Sequence, residues 1–363
     1  MPTAHPADTT GLQRLIAEGT VAAGDIRAIL GKTEGNGCVN DFTRPYAVMA
    51  LQHVLAEALG CTPEQVGARV AMVMSGGTEG GLSPHLLIFA AGDAPTGTTA
   101  GRSLALGTAF TRPFRPEELG RMAQIEATAA AVTEAMRQAG ISDPADVHYV
   151  QVKCPLLTAD RIMDAVARGQ TVATEDTYAS MGVSRGASAL GVALALNEVP
   201  AGALSDDVIG RDLDLWSGRA STSAGIELMH NEVIVMGNSP DWASAWVIAH
   251  RVMRDAIDLP AVAGALVDAG LGGGLAATGQ LDAAARADLV AVLAKADPAT
   301  TGQIRGARHT MLDDSDINAT RHARALVGGV LAGVVGRTDL FVSGGAEHQG
   351  PDGGGPVAVI ARR

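Results

Sequence analysis

Lysine, arginine and serine recur three times in one order along this 363-residue chain. Each lysine ends a short apolar run: Ile29-Leu-Gly-Lys32, Val150-Gln-Val-Lys153 and Val292-Leu-Ala-Lys295. Each arginine follows a small hydroxyl residue, in Thr43-Arg44, Ser184-Arg185 and Thr320-Arg321. Each serine opens the pattern Ser-x-Gly-x-Glu, at Ser75–Glu79, Ser223–Glu227 and Ser343–Glu347. A serine hydroxyl is a weak nucleophile until a base takes its proton, and lysine can be that base when its pKa is lowered. Burial and neighbouring cations lower it, and converging arginines would supply the cations while also binding substrate oxygens. Glycines beside each serine let backbone N–H groups approach a reacting carbonyl closely. One such oxyanion donor is worth roughly 2.7–4 kcal/mol.

The elements that must carry these residues also recur. The runs before the lysines read as strands. Residues 46–59 ("YAVMALQHVLAEAL") have helical spacing, and "ASALGVALAL" and "ARALVGGVLAGVV" are apolar enough to be buried helices. Leu86–Ala90, Val233–Met236 and Val357–Ala361 follow the serine motifs as further β-like runs. The repeated order is strand, Lys, loop, Arg, helix, strand, Ser-x-Gly-x-Glu, loop, strand. It predicts an α/β fold of three similar units, each somewhat over a hundred residues long. We place them at 1–104, 112–241 and 246–363, with Leu106–Pro116 between the first two and Gly237–Trp242 before the third. A lone Lys-Arg-Ser set is more often surface charge and a turn. Three sets in matching contexts favour one shared centre.

Composition removes several function classes. A net charge of -12 and 3% aromatic residues disfavour nucleic-acid and anionic-membrane binding. The apolar segment Leu326–Val335 is too short to span a bilayer. With no signal peptide evident and three cysteines (Cys38, Cys61, Cys154) lacking zinc spacing, a reduced, cytoplasmic enzyme is expected, its cysteines used in packing. "LDDSDINA" (312–319) lacks the glycine and glutamate of an EF-hand and reads as a helix cap at Asp316 or Asn318. "GPDGGG" lacks the lysine and hydroxyl residue of a phosphate loop.

Longer motifs carry a resemblance. "GKTEGNGCVNDFTR" (31–44), "VMSGGTEGGLSPH" (73–85), "VQVKCPLLT" (150–158), "SMGVSRGASALG" (180–191), "RHTMLDDSDINATRHARA" (308–325) and "SGGAEHQGPDGGGP" (343–356) resemble the cyanuric acid hydrolase/barbiturase family, on its cyanuric acid branch. The resemblance spans the chain. It implies three α/β repeats related by pseudo-threefold symmetry around a central site. It also implies hydrolytic opening of a cyclic amide, cyanuric acid to carboxybiuret and then biuret, with barbituric acid as the alternative substrate. By resemblance Lys153 is the base and Ser223 the nucleophile. Lys32 and Lys295 belong to the other dyads. Arg44, Arg185 and Arg321 hold substrate carbonyls, and Ser75–Gly76, Ser223–Ala224 and Ser343–Gly344 complete the cradle. No organic cofactor is implied. A structural magnesium or calcium ion is, held by Asp297 (typically glutamate in the family) and backbone oxygens near Ala346, Gln349, Gly350, Pro351 and Gly354. The resemblance suggests a homotetramer. A non-catalytic binder of cyclic imides would have no need of a base beside a serine, and no Ser-x-x-Lys motif supports a peptide or lactam amidase.

Overall fold

The apolar runs ending in lysine are strands, and each lies beside a serine strand in parallel. The computed structural model describes residues 1–93, 101–275 and 278–363. In the first sheet β1 (Ile26–Thr33) is flanked by β2 (Ala71–Gly76), parallel, and β3 (His85–Ala90), antiparallel. The second sheet is formed by β4 (Ser103–Phe110), β5 (Val147–Pro155), β6 (Ala220–Gly225) and β7 (Glu232–Ser239), in the order β4-β7-β5-β6. The third uses β8 (Trp246–Met253) and β9 (Leu289–Ala296). After a small hairpin of β10 (Gln303–Ile304) and β11 (Ala307–Arg308), β12 (Phe341–Gly344) and β13 (Gly355–Arg362) complete the order β12-β9-β13-β8.

Register places the chemistry. Lys32 is the cross-strand partner of Ser75, Lys153 of Ser223, and Lys295 of Ser343. Side chains alternate faces along a strand. On β1, Ala28 and Leu30 point into a core shared by all three sheets, and Lys32 follows two positions on. Tyr149 leads to Lys153, Ala291 and Leu293 lead to Lys295, Val73 to Ser75, and Phe341 to Ser343 in the same way. The opposite faces pack under helices. Ile29 joins Ala47, Leu51 and Leu55 of the helix Thr43–Leu59. Val150 and Val152 pack with Val192 of the helix Thr177–Ala195. Val292 and Ala294 pack with Val327 and Leu331 of the helix Ala319–Val335. Burial on both faces explains why these strands read as continuous apolar runs without a polar alternation.

Two boundary expectations change. Leu106–Phe110, read above as part of a separator, lies in β4 and pairs with β7 along its length, so only the segment from Thr111 onward is a connector. Its apolar residues are used by the sheet, a pairing more than a hundred positions away that no local pattern reveals. Gly237–Ser239, read above as preceding the third unit, likewise closes β7 and pairs with β4. Of the two expected caps, Asn318 serves the helix Ala319–Val335, accepting from Thr320 N at 3.0 Å. Cys154 is fully buried in the second-sheet core, and Cys38 and Cys61 are half-buried. No helix among the described residues is long and apolar enough to cross a membrane.

Candidate active site

All three lysines are at least 99% buried, an environment that charged lysine enters only with partners. Those partners interlock the sheets. Lys32 Nζ donates to Val342 O at 2.5 Å, Lys153 Nζ to Met74 O at 2.8 Å, and Lys295 Nζ to Thr222 O at 2.8 Å. Each acceptor is the residue just before a serine on another sheet. Lys32 also reaches its own serine, Ser75 Oγ, at 3.3 Å, and Lys295 reaches Ser343 Oγ at 3.2 Å. Lys153 instead stands 2.8 Å from Glu227 Oε1, while Ser223 Oγ meets Ser343 Oγ at 2.8 Å.

These groups share one pocket. Ser75, Gly76, Ser223, Ala224, Ser343 and Gly344 line it with Arg44, Arg185 and a third arginine. That arginine is Arg324, which corrects the expectation of Arg321. Arg321 keeps 38% of its side chain exposed and lies outside the pocket, whereas Arg324 keeps 4%. Both reach Glu79, Arg324 through Nε at 2.7 Å and Arg321 through Nε at 3.0 Å. Residues three apart share a helix face, and Arg324 sits the turn deeper toward the sheets. The Thr-Arg spelling misled; the spacing Arg44–Arg185–Arg324 is the more even one, and that signal was available in the sequence.

The glutamates closing the serine motifs are functional residues whose roles the sequence did not reveal. Glu347 takes Arg185 in a two-point pair at 2.6 and 2.8 Å, and Glu79 holds Arg324, so each fixes an arginine from a different sheet's helix. Arg44 is held by carbonyls instead, Ala224 O at 3.0 Å and Cys38 O at 2.7 Å. A planar guanidinium clamped from one side offers its remaining N–H groups in a fixed direction. With Ser223 and Ser343 in contact, the cavity measures about 20 Å³, the room of one water.

Burial pushes every lysine pKa down. Lys295 falls to about 7 through burial and the nearby Arg185. Lys32 falls well below the ordinary lysine value, through burial and then Arg324. Lys153 is lowered by burial, opposed by the Glu227 carboxylate and aided by Arg44. A lowered pKa gives a larger neutral fraction near pH 7, the form able to accept a proton.

The residues expected around a cation meet where the chain just after β9, carrying Asp297, touches the loop after β12. Asp297 Oδ2 accepts Ala346 N at 3.0 Å, while its Oδ1 is buried without a hydrogen-bond partner among the described residues. Asp297, Ala346 and Gly350 line a cavity of about 50 Å³. A buried, unpartnered carboxylate oxygen suits a hard cation, which takes an all-oxygen shell. The residues fit such an ion, although the described residues hold no cluster of three His, Cys, Asp or Glu side chains.

Comparison with known proteins places this geometry. The profile of amidohydrolase ring-opening proteins matches residues 1–362. The chain belongs to that family. Cyanuric acid amidohydrolase from Enterobacter cloacae is 57% identical over 365 residues, covering 100% of this chain and 98% of that protein. The cyanuric acid amidohydrolase of Pseudomonas sp. (strain ADP) is 54% identical, with the same coverage. A solved cyanuric acid hydrolase, described as an evolutionary innovation by structural concatenation, superimposes with a TM-score of 0.95 at 54% identity, covering 100% of this chain and 98% of its own. Cyanuric acid hydrolase from A. caulinodans gives a TM-score of 0.90 at 55% identity, covering 100% and 97%. A ring-opening amidohydrolase needs a nucleophile, a base and donors for a developing oxyanion, and the inner faces of the three sheets carry residues of all three kinds.

Proposed function

We propose that this chain hydrolyses cyanuric acid, opening the s-triazine ring to 1-carboxybiuret, which loses carbon dioxide to give biuret. The observation that carries the reading is the threefold matching of Lys to Ser in register, with three buried arginines on one pocket. A ring of alternating carbonyls and nitrogens presents the same edge three times, and three equivalent sets meet it. In this reading the fold is three α/β repeats about a pseudo-threefold axis, with β4 counted in the second.

Ser223 Oγ attacks a ring carbonyl carbon while Lys153 takes its proton. The tetrahedral oxyanion draws on N–H donors beside the serines and on an arginine. The ring C–N bond then breaks, the leaving nitrogen takes the proton from Lys153, and an acyl-enzyme remains. Water, deprotonated by Lys153, attacks the acyl carbon and Ser223 regains its hydrogen. Lys153 leaves Met74 O to do this, and its cross-strand position opposite Ser223 keeps that swing short. Two features single out this pair: Ser223 is followed by alanine instead of glycine, and Lys153 is the lysine paired with a carboxylate.

Incubation with cyanuric acid, following carboxybiuret and biuret, is expected to show turnover, and with barbituric acid a much lower kcat/KM. Preference for barbituric acid would move the chain to the barbiturase branch. No turnover of either would leave only a binder. For the cation, magnesium or calcium would be held by Asp297 and the backbone oxygens of Ala346, Gln349, Gly350, Pro351 and Gly354. Its contribution is charge that fixes the loop bearing Glu347, and through it Arg185. Elemental analysis is expected to find a divalent ion in purified protein. Asp297→Asn is expected to lose it and to melt earlier; equal metal content in both would remove Asp297 from the shell.

A further inference from the structure

The second serine set breaks the pattern of the other two in one respect. Glu79 and Glu347 are captured by arginines, but Glu227 faces Lys153. On its other side Glu227 lines a cavity of about 460 Å³ between the first and second sheets, its two carboxylate oxygens buried just behind that wall. At the rim of this groove stand exposed residues, Glu64 and Pro113 among them. On its floor, buried Glu232 accepts Met72 N at 2.7 Å, and His230 Nε2 lies 3.8 Å from its other oxygen. Glu232 is the cross-strand partner of Lys153 on β7, where the first sheet puts His85 opposite Lys32. The groove is large enough for several waters.

The chemistry creates a need for such a route. The ring-opened product is a carbamic acid that leaves as its anion. One proton per turnover must therefore exit a pocket whose lysines are buried.

We propose that Glu227 is the positioning residue and proton relay of Lys153, and that the groove floored by Glu232 is its connection to solvent. The inference rests on Lys153 being the base. The Lys153 ammonium gives one proton to the Glu227 carboxylate, leaving a neutral amine and a carboxylic acid. Turning toward the groove, Glu227 passes the proton to groove water, directly or through the Glu232 carboxyl, which accepts it on one oxygen and releases its own to water. The amine lone pair is then free to take the Ser223 proton. The two carboxyls are tuned apart, as acid–base pairs are. Glu232 is pushed up to about 8 by burial, whereas Glu227 is held down against its own burial by Lys153 and Arg44. The charged groups facing Glu227 are Lys153, Arg44 and Arg161, with Glu232 and His230 on the groove side.

The test is Glu227→Gln, which keeps shape and removes the charge. Its kcat is expected to fall about 10²-fold, the scale of a lost acid–base group, with KM within about threefold of wild type. The acid limb of the kcat/KM–pH profile should also move. Removing the anion that holds the proton on Lys153 lowers that lysine's pKa further, so the limb shifts to lower pH by about one unit or more. In Glu227→Ala, added formate is expected to restore part of kcat by entering the groove. A merely structural Glu227 would move stability without moving the limb or responding to formate. That outcome, or a kcat within threefold of wild type, overturns the proposal. Should Glu227→Gln fail to fold by circular dichroism, Glu232→Gln takes its place, with kcat about tenfold lower and KM unchanged expected; an unchanged kcat there overturns the relay. An active Lys153→Ala would instead bring down the reading of the base on which the inference rests.

Discussion

Ser223→Ala is expected to lower kcat by about 10⁶-fold, and Lys153→Ala by a similar factor, with the double variant little worse than either. Nucleophile and base act on one proton, so removing one leaves the other nothing to do, and their losses do not add. Ser75→Ala and Ser343→Ala should each lose at least about 10²-fold, the cost of one missing oxyanion or positioning donor, but less than Ser223→Ala. The order of these three losses is the informative quantity. The three serines occupy equal cross-strand positions, and only the surroundings of Ser223 and Lys153 differ. Steady-state kinetics on cyanuric acid with folded variants measures the order. A Ser223→Ala enzyme more active than Ser75→Ala or Ser343→Ala would transfer the nucleophile's role to one of those serines.

The second large effect separates two arginines three residues apart. Arg324→Ala is expected to lose about 10³-fold or more in kcat/KM and also to destabilise the fold. It removes a pocket-lining guanidinium and leaves Glu79 without its deeper partner; breaking a buried pair costs about 3–5 kcal/mol. Arg324→Lys keeps the charge but not the planar fork, so it should recover stability while recovering little activity. Arg321→Ala should stay within about threefold of wild type, because its side chain is over a third exposed and exposed pairs contribute about 0–1 kcal/mol. Kinetics and thermal melts on the same preparations check both halves. Equal losses at the two positions would mean that Glu79, not the arginine, carries the effect.

What the sequence determined alone was what local rules govern. Lysine two positions beyond Leu30, and serine two beyond Val73, must share the inner face because strand side chains alternate with period two. Helix spacing likewise placed Ala47, Leu51 and Leu55 on one buried stripe. The three-unit order of lysine, arginine and serine was legible in the same way, whereas the cradle was implied by the family resemblance, with one arginine misplaced.

Tertiary structure decided the rest, and the reason is distance along the chain. The bonds that set the site's geometry join Lys32 to Val342 and Arg44 to Ala224, contacts 310 and 180 residues apart. Arg321 and Arg324 are helix neighbours three positions apart, and in the sequence the hydroxyl before Arg321 and the more even spacing of Arg324 point opposite ways. Only the depth at which their helix meets β12 sends one into the pocket and leaves the other at the rim. The glutamates show the same limit. Glu79, Glu227 and Glu347 are identical in motif, yet two hold arginines and one faces a lysine, because what surrounds each comes from a different part of the chain.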